Sequence, residues 1–161
     1  MSGTLRITPA TESDVSVILS FVRKLADYEK LSHLVVATED NIREHVFGAN
    51  PVAEVLLAYW DEEAVGFALY FRNFSTFLGQ PGIYLEDLFV DPAQRGKGIG
   101  KALLARLAKI AVERGYGRLD WAVLDWNTPS IEFYRGLGAV PLDAWTGYRL
   151  TGEALDRLAA K

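Results

Sequence analysis

The chain has 161 residues, close to one domain at the usual size of roughly 100–150 residues, and its 50% hydrophobic and 24% charged content excludes a disordered or fibrous protein. It contains no cysteine, which excludes disulfides, thiolate metal sites, iron–sulfur clusters and a cysteine nucleophile. With 17 Lys+Arg against 21 Asp+Glu the formal charge is −4, the wrong sign for gripping nucleic-acid phosphates, so any polyanion must meet a local basic patch.

The opening Met1-Ser2-Gly3-Thr4-Leu5-Arg6 lacks the apolar run of about 7–15 residues that a secretion signal needs. No stretch approaches the ~20 apolar residues that cross a bilayer. The expectation is one cytoplasmic domain over residues 1–161 that engages neither membrane nor nucleic acid.

Leu5-Arg6-Ile7 predicts a short first strand. Apolar Val15, Ile18, Leu19, Val22, Leu25 and Ala26 recur at helical spacing between Thr11 and Glu29, and Thr11 with Asp14 forms a helix start signal. A second helix is predicted from Thr38 to Phe47, stopped by Gly48. Strands follow at Val52–Trp60, Ala64–Phe71 and Ile83–Val90, the first two joined by the polar Asp61-Glu62-Glu63. Gly98–Arg114 reads as an amphipathic helix with Ile99, Leu103, Leu107, Ile110 and Ala111 on one face, ended by Gly115. Arg118–Asp125 predicts a strand, and Thr128-Pro129 opens a helix that Gly138 ends. Tyr148-Arg149-Leu150 predicts a last strand before a tail helix near Glu153–Leu158. The order gives a mixed α/β sheet with helices on both faces.

The stretch that carries chemistry is Leu85-Glu86-Asp87-Leu88-Phe89-Val90-Asp91-Pro92-Ala93-Gln94-Arg95-Gly96-Lys97-Gly98-Ile99-Gly100-Lys101, where a strand feeds a glycine-rich turn and then a helix. Glycines at alternate positions let backbone N–H groups turn inward, and the helix start adds unpaired N–H groups and a positive dipole end. Arg95, Lys97 and Lys101 supply the local basic patch. Spacing rejects two nucleotide motifs. The glycine that opens a Walker A loop would fall at Arg95, and Ala102 replaces its magnesium-binding hydroxyl. The third glycine of a dinucleotide fingerprint would fall at Lys101 or Leu103. A glycine-rich turn with no ligand is the plain structural alternative.

Arg95-x-x-Gly98-x-Gly100 resembles the pyrophosphate loop of the GNAT acetyltransferase superfamily, whose acyl donor is acetyl-CoA. Tyr84-Leu85-Glu86-Asp87, Asp125-Trp126-Asn127-x-Pro129-Ser130 and Phe133-Tyr134-x-x-x-Gly138-Ala139 are similar to its diamine acetyltransferase branch, which includes the spermidine/spermine and thialysine acetyltransferases. The likeness runs from Arg6-Ile7-x-x-Ala10 to Gly147-Tyr148-Arg149, nearly the whole chain. It implies a mixed, mostly antiparallel central sheet flanked by helices on both faces, a small primary-amine substrate and a homodimer.

The resemblance also distributes roles. Glu86 is implied as the base that deprotonates the amine, and Tyr134 as the acid that protonates the departing thiolate. Backbone amides of Leu88, Phe89 and Val90 are implied to bind the acetyl and pantetheine part of the donor, and residues Arg95 through Lys101, with Gly96, Lys97, Gly98, Ile99 and Gly100 between them, its pyrophosphate. Asn127 and Ser130 fall where the family contacts the donor, and Asn-Thr-Pro-Ser is equally a helix start. Tyr28, Glu29, Asp87, Asp120, Trp121 and Ala122 align with segments that reach the amine. Strand alternation places Glu86 with Tyr84 and Leu88 on one face and Asp87 with Leu85 and Phe89 on the other. Tyr134 also reads as a core residue, and Glu29 as a solvated helix end. At Thr146-Gly147-Tyr148 the chain departs from the polyamine enzymes, which carry an acid before Gly-Trp; Thr146 therefore favours a shorter amine or a thialysine-like amino acid. His33 and His45 have no metal-ligand spacing, so no metal is expected. Two alternatives remain: a peptide or protein N-acetyltransferase, and a non-catalytic CoA-binding module.

Overall fold

The computed structural model describes residues 2–161; Met1, the first residue read for a leader segment, lies outside them. Two compact units divide the chain, one ending at Ala122 and the other starting at Val123.

The first unit holds β1 (Leu5–Pro9), α1 (Val15–Tyr28), α2 (Glu39–Phe47), β2 (Glu54–Trp60), β3 (Glu63–Ser75), β4 (Gln80–Val90), α3 (Ile99–Glu113) and β5 (Leu119–Trp121). The strands form one sheet in the order β1-β2-β3-β4-β5, antiparallel throughout except for the parallel β4–β5 edge. Val55, Leu56, Leu57 and Ala58 are four successive buried residues of β2. Alternating side chains point to opposite faces, so a continuous buried run means that both faces are covered. On one face α1 and α2 supply Val15, Ile18, Leu19, Phe21 and Ile42 to a core with Val55, Leu57, Phe67 and Phe89. Phe21 stacks on Phe67 at 5.6 Å and meets Phe89 at 6.0 Å. The opposite face is closed by α3, which buries Ile99, Leu103, Leu104, Leu107 and Ala111. Each such large side chain contributes about 1.5–3 kcal/mol of burial free energy, so the sheet is a rigid platform for its edge residues.

Local signals set the helix ends. The Thr11 amide donates to Asp14 Oδ2 at 2.8 Å ahead of α1. At α2 the Asn41 amide donates to Thr38 Oγ1 at 3.2 Å while the Thr38 amide donates to Asn41 Oδ1 at 2.9 Å, a reciprocal capping pair. The β3–β4 hairpin runs further than Phe71 and Ile83, to Ser75 and Gln80. Gly82 permits this extension: a Cβ there would sit 2.8 Å from Asn73 Oδ1 and 3.1 Å from the Arg118 carbonyl oxygen.

In the second unit the ordered elements are α4 (Thr128–Gly136) and α5 (Gly152–Ala159). Two expectations are corrected here. The strand expected over Arg118–Asp125 is confined to Leu119–Trp121, and Tyr148–Leu150 is not a strand. Within residues 123–161 no second strand exists to pair with that segment, and a lone extended stretch leaves its backbone groups unpaired. Among the described residues no helix is long and apolar enough to cross a membrane.

Candidate active site

The decisive local feature is an irregularity in β4. Leu69 of β3 faces Asp87 and the next residue, Tyr70, faces Leu85, so Glu86 is an extra residue bulged out of the ladder. A bulge reverses the alternation of side chains beyond it. Asp87 shares a face with Phe89, as their partners Leu69 and Phe67 do, but Leu85 is turned to the other face. The sequence-based grouping of Asp87 with Leu85, and of Tyr84 with Leu88, is corrected by this one residue. The parallel ladder with β5 also stops here, its last pair being Leu85 with Trp121. Past the bulge, Leu88, Phe89 and Val90 pair with β3 on one side, and no strand among the described residues covers their other edge.

Charge gathers at this bulge. Asp87 is largely buried, and burial first, then the neighbouring Glu86 and Glu29 carboxylates, push its carboxyl up to about 6. Burial also raises Glu29. Tyr84 is raised by burial and then by Glu86 and Asp120, the latter its direct partner across the parallel ladder. The fold thus brings Glu29 from the end of α1 to Glu86 and Asp87 on β4, with Tyr84 and Asp120 beside them. Asp120 is already engaged by Arg118 Nε at 3.2 Å. Glu86 and Glu29 both act to raise the Asp87 carboxyl, and this gathering of negative charge makes the site electrostatically suited to an ammonium group. Trp121 is half-buried and Ala122 exposed at the end of β5.

Beyond Val90 the chain makes a short turn at Pro92–Gln94 and enters the glycine loop. Gly96 and Gly98 adopt positive φ of 81° and 76°, and a Cβ at either would meet nothing within 4 Å. The turn is therefore glycine for its backbone, and the space beside it is open. Gly100 lies in the first turn of α3, where a Cβ would make only ordinary contact with Val90 Cγ2 at 3.9 Å. The first α3 hydrogen bond runs from the Ala102 amide to the Gly98 carbonyl at 2.9 Å, so the amides of Ile99, Gly100 and Lys101 precede it and point out of the helix end. Arg95 lies over the Tyr28 ring at 5.0 Å. Lys97 Nζ lies over the Trp60 ring at 4.5 Å and donates to Gln94 Oε1 at 2.5 Å. Asp91, the loop's own acid, is held by Lys24 Nζ at 3.3 Å. Exposed cations, open space and outward amides form a cradle that fits a diphosphate.

The family model described as the acetyltransferase (GNAT) family matches residues 21–139. The chain belongs to the GNAT acetyltransferase family. The thialysine N-epsilon-acetyltransferase of Mus musculus is 39% identical to it over 97% of this chain and 98% of that protein. The L-ornithine N5-acetyltransferase of Arabidopsis thaliana is 32% identical over 95% of this chain and 87% of that protein. Among solved structures, an integron cassette protein from the mobile metagenome of V. cholerae superposes with a TM-score of 0.81 at 28% identity, covering 98% of each chain. This GNAT chain is an N-acetyltransferase, with the mixed, mostly antiparallel sheet that its sequence led us to expect.

The remaining expected site residues of this acetyltransferase lie in the second unit. Asn127 is the N-cap of α4, its Oδ1 accepting from the Ser130 amide at 3.4 Å, so the helix-start role of this pair is realised. Tyr134 is half-buried on α4, its ring 5.5 Å from that of Phe133. Thr146 is exposed in the irregular segment between α4 and α5. Among the described residues no three His, Asp or Glu side chains cluster as a metal site. Sequence reading gave Tyr84 no role, although it opens the quoted Tyr84-Leu85-Glu86-Asp87; the fold sets its hydroxyl within reach of the Glu86 and Asp120 charges.

Proposed function

We propose that the protein transfers the acetyl group of acetyl-CoA to the terminal primary amine of a small substrate of the thialysine, short diamine or polyamine type. The observation that carries this reading is the bulged Glu86 beside Asp87 and Glu29, a gathering of acids at the open edge of β4. A primary alkylamine has a pKa of roughly 10.4, so well under about one per cent is the nucleophilic free base at neutral pH. The carboxylates attract the ammonium form, and Glu86 takes its proton, directly or through a water. The amine nitrogen then bonds to the acetyl carbon. Charge that builds on the carbonyl oxygen is met by those backbone N–H groups of the Leu88-Phe89-Val90 segment that face the open edge, on Leu88 and Val90. The carbon–sulfur bond breaks, and the Tyr134 hydroxyl gives its proton to the thiolate.

Arg95, Lys97, Lys101 and the amides from Gly96 through Ile99 and Gly100 would hold the donor's diphosphate; for Asn127 and Ser130 a donor contact rests on the resemblance alone. Glu29, Asp87, Asp120, Trp121 and Ala122 line the amine side. Thr146 supplies no carboxylate for a distal ammonium, which favours thialysine-like amino acids and short diamines over spermidine and spermine. The relatives support this class: their names specify thialysine and ornithine, and they match nearly end to end. That extent also supports residues 1–161 acting as a single N-acetyltransferase domain. Its working form is a homodimer, a reading that rests on the resemblance and that light scattering tests against the 17.9 kDa monomer.

The test is kinetic. Glu86→Gln and Tyr134→Phe should each lower turnover about 10²–10⁴-fold. Full activity of both variants across pH would refute the assigned roles.

A further inference from the structure

Two aromatic side chains far apart in sequence lie under the two leading cations of the glycine loop. Tyr28 is the last residue of α1, and Trp60 the last residue of β2. Arg95 sits over the first ring at 5.0 Å and Lys97 over the second at 4.5 Å. Both cations are otherwise exposed, and exposed arginine and lysine side chains explore many rotamers that an anion must freeze on binding.

We propose that Tyr28 is a positioning residue for the acyl donor, holding Arg95 aimed at the donor's diphosphate, with Trp60 doing the same for Lys97. This rests on the donor site of the preceding section and reassigns Tyr28 from the amine side of the site to its phosphate side. A guanidinium stacked on a ring keeps its N–H donors free around the edge of its plane, so the brace leaves its anion-binding capacity intact. The same holds for Lys97, whose ammonium meets the ring and Gln94 Oε1 and has a third N–H left. Asp91, the acid nearest in the loop, is held by Lys24, which leaves the two cations to the ligand. Trp60 is itself packed against backbone: a Cβ at Gly3 would overlap its ring atoms.

The experiment is a double-mutant cycle on coenzyme A binding, read by titration calorimetry with no amine present. The variants are Tyr28→Leu, which keeps apolar bulk at the end of α1, Tyr28→Phe, Arg95→Ala and the Tyr28→Leu/Arg95→Ala pair. An exposed cation–π contact predicts a two- to fivefold weaker Kd for Tyr28→Leu, about what such contacts contribute. Tyr28→Phe should bind as the wild type does, because the ring face is retained. In the Arg95→Ala background Tyr28→Leu should have no further effect, since it acts through Arg95. An unaltered coenzyme A Kd in Tyr28→Leu, or an equal loss with and without Arg95, would overturn the proposal, and a raised amine KM alone would return Tyr28 to the amine side. A wild-type protein that binds no coenzyme A would overturn the donor site itself, a result distinct from either of these.

Discussion

Asp87 gives the sharpest physical prediction because its burial and its neighbours act in the same direction. Its carboxyl is raised from 3.8 to about 6 by burial, with Glu86 and Glu29 adding like charge. In the unfolded chain the group titrates near its ordinary value, so between about pH 4 and 6 the folded state holds more protons than the unfolded state. Unfolding free energy therefore falls as pH rises through that window, and above it the ionised Asp87 is a standing destabilisation. A shift of about two units corresponds to ~3 kcal/mol. Asp87→Asn keeps the size and removes the charge, while its amide brings a desolvation cost of about 1 kcal/mol or more. The variant should accordingly be more stable than the wild type by ~1–2 kcal/mol at pH 7.5, roughly 2–8 °C in Tm for a chain of this length. The stability difference should grow between about pH 4 and 7 and level off beyond. Urea unfolding of both proteins at intervals from pH 4 to 8 measures this directly. A difference that stays flat with pH would refute the claim that Asp87 is held in an anionic, desolvated setting.

Other perturbations separate the scaffold from the site. Gly98→Ala places a side chain at φ 76° in otherwise open space, so backbone strain alone should cost ~1–2 kcal/mol in urea unfolding; a loss below measurement error would contradict the left-handed turn. Leu103→Ala removes a fully buried side chain of α3 and should cost ~2–5 kcal/mol, with a KM for acetyl-CoA unchanged at temperatures where the variant remains folded. A loss under ~1 kcal/mol would show that α3 is not packed as described.

How far the sequence revealed this molecule depends on whether each feature is local. The loop from Arg95 to Lys101 was legible because its glycines sit where the backbone needs positive φ, at Gly96 and Gly98, and its cations are adjacent in sequence. The ends of α2 were legible because Thr38 and Asn41 cap one another across a single turn. The bulge at Glu86 was not, because one residue inserted into an otherwise regular apolar strand has no compositional mark, and it reverses every face assignment across it. Glu29 meeting Asp87, and Tyr28 meeting Arg95, are long-range contacts that depend on how α1 packs on the sheet. The strand expected at Tyr148–Leu150 rested on β-propensity alone, which does not supply a neighbouring strand.

The central claim is acetyl transfer to a small primary amine, and free-thiol release from acetyl-CoA tests it most directly. Purified protein would be offered thialysine, ornithine, lysine, short diamines, spermidine and spermine at equal concentration, with a peptide bearing a free amino terminus alongside. The account predicts turnover with thialysine or the short amines, well above that with spermidine and spermine. Thiol release with the peptide alone, or coenzyme A binding with no release from any acceptor, would contradict it.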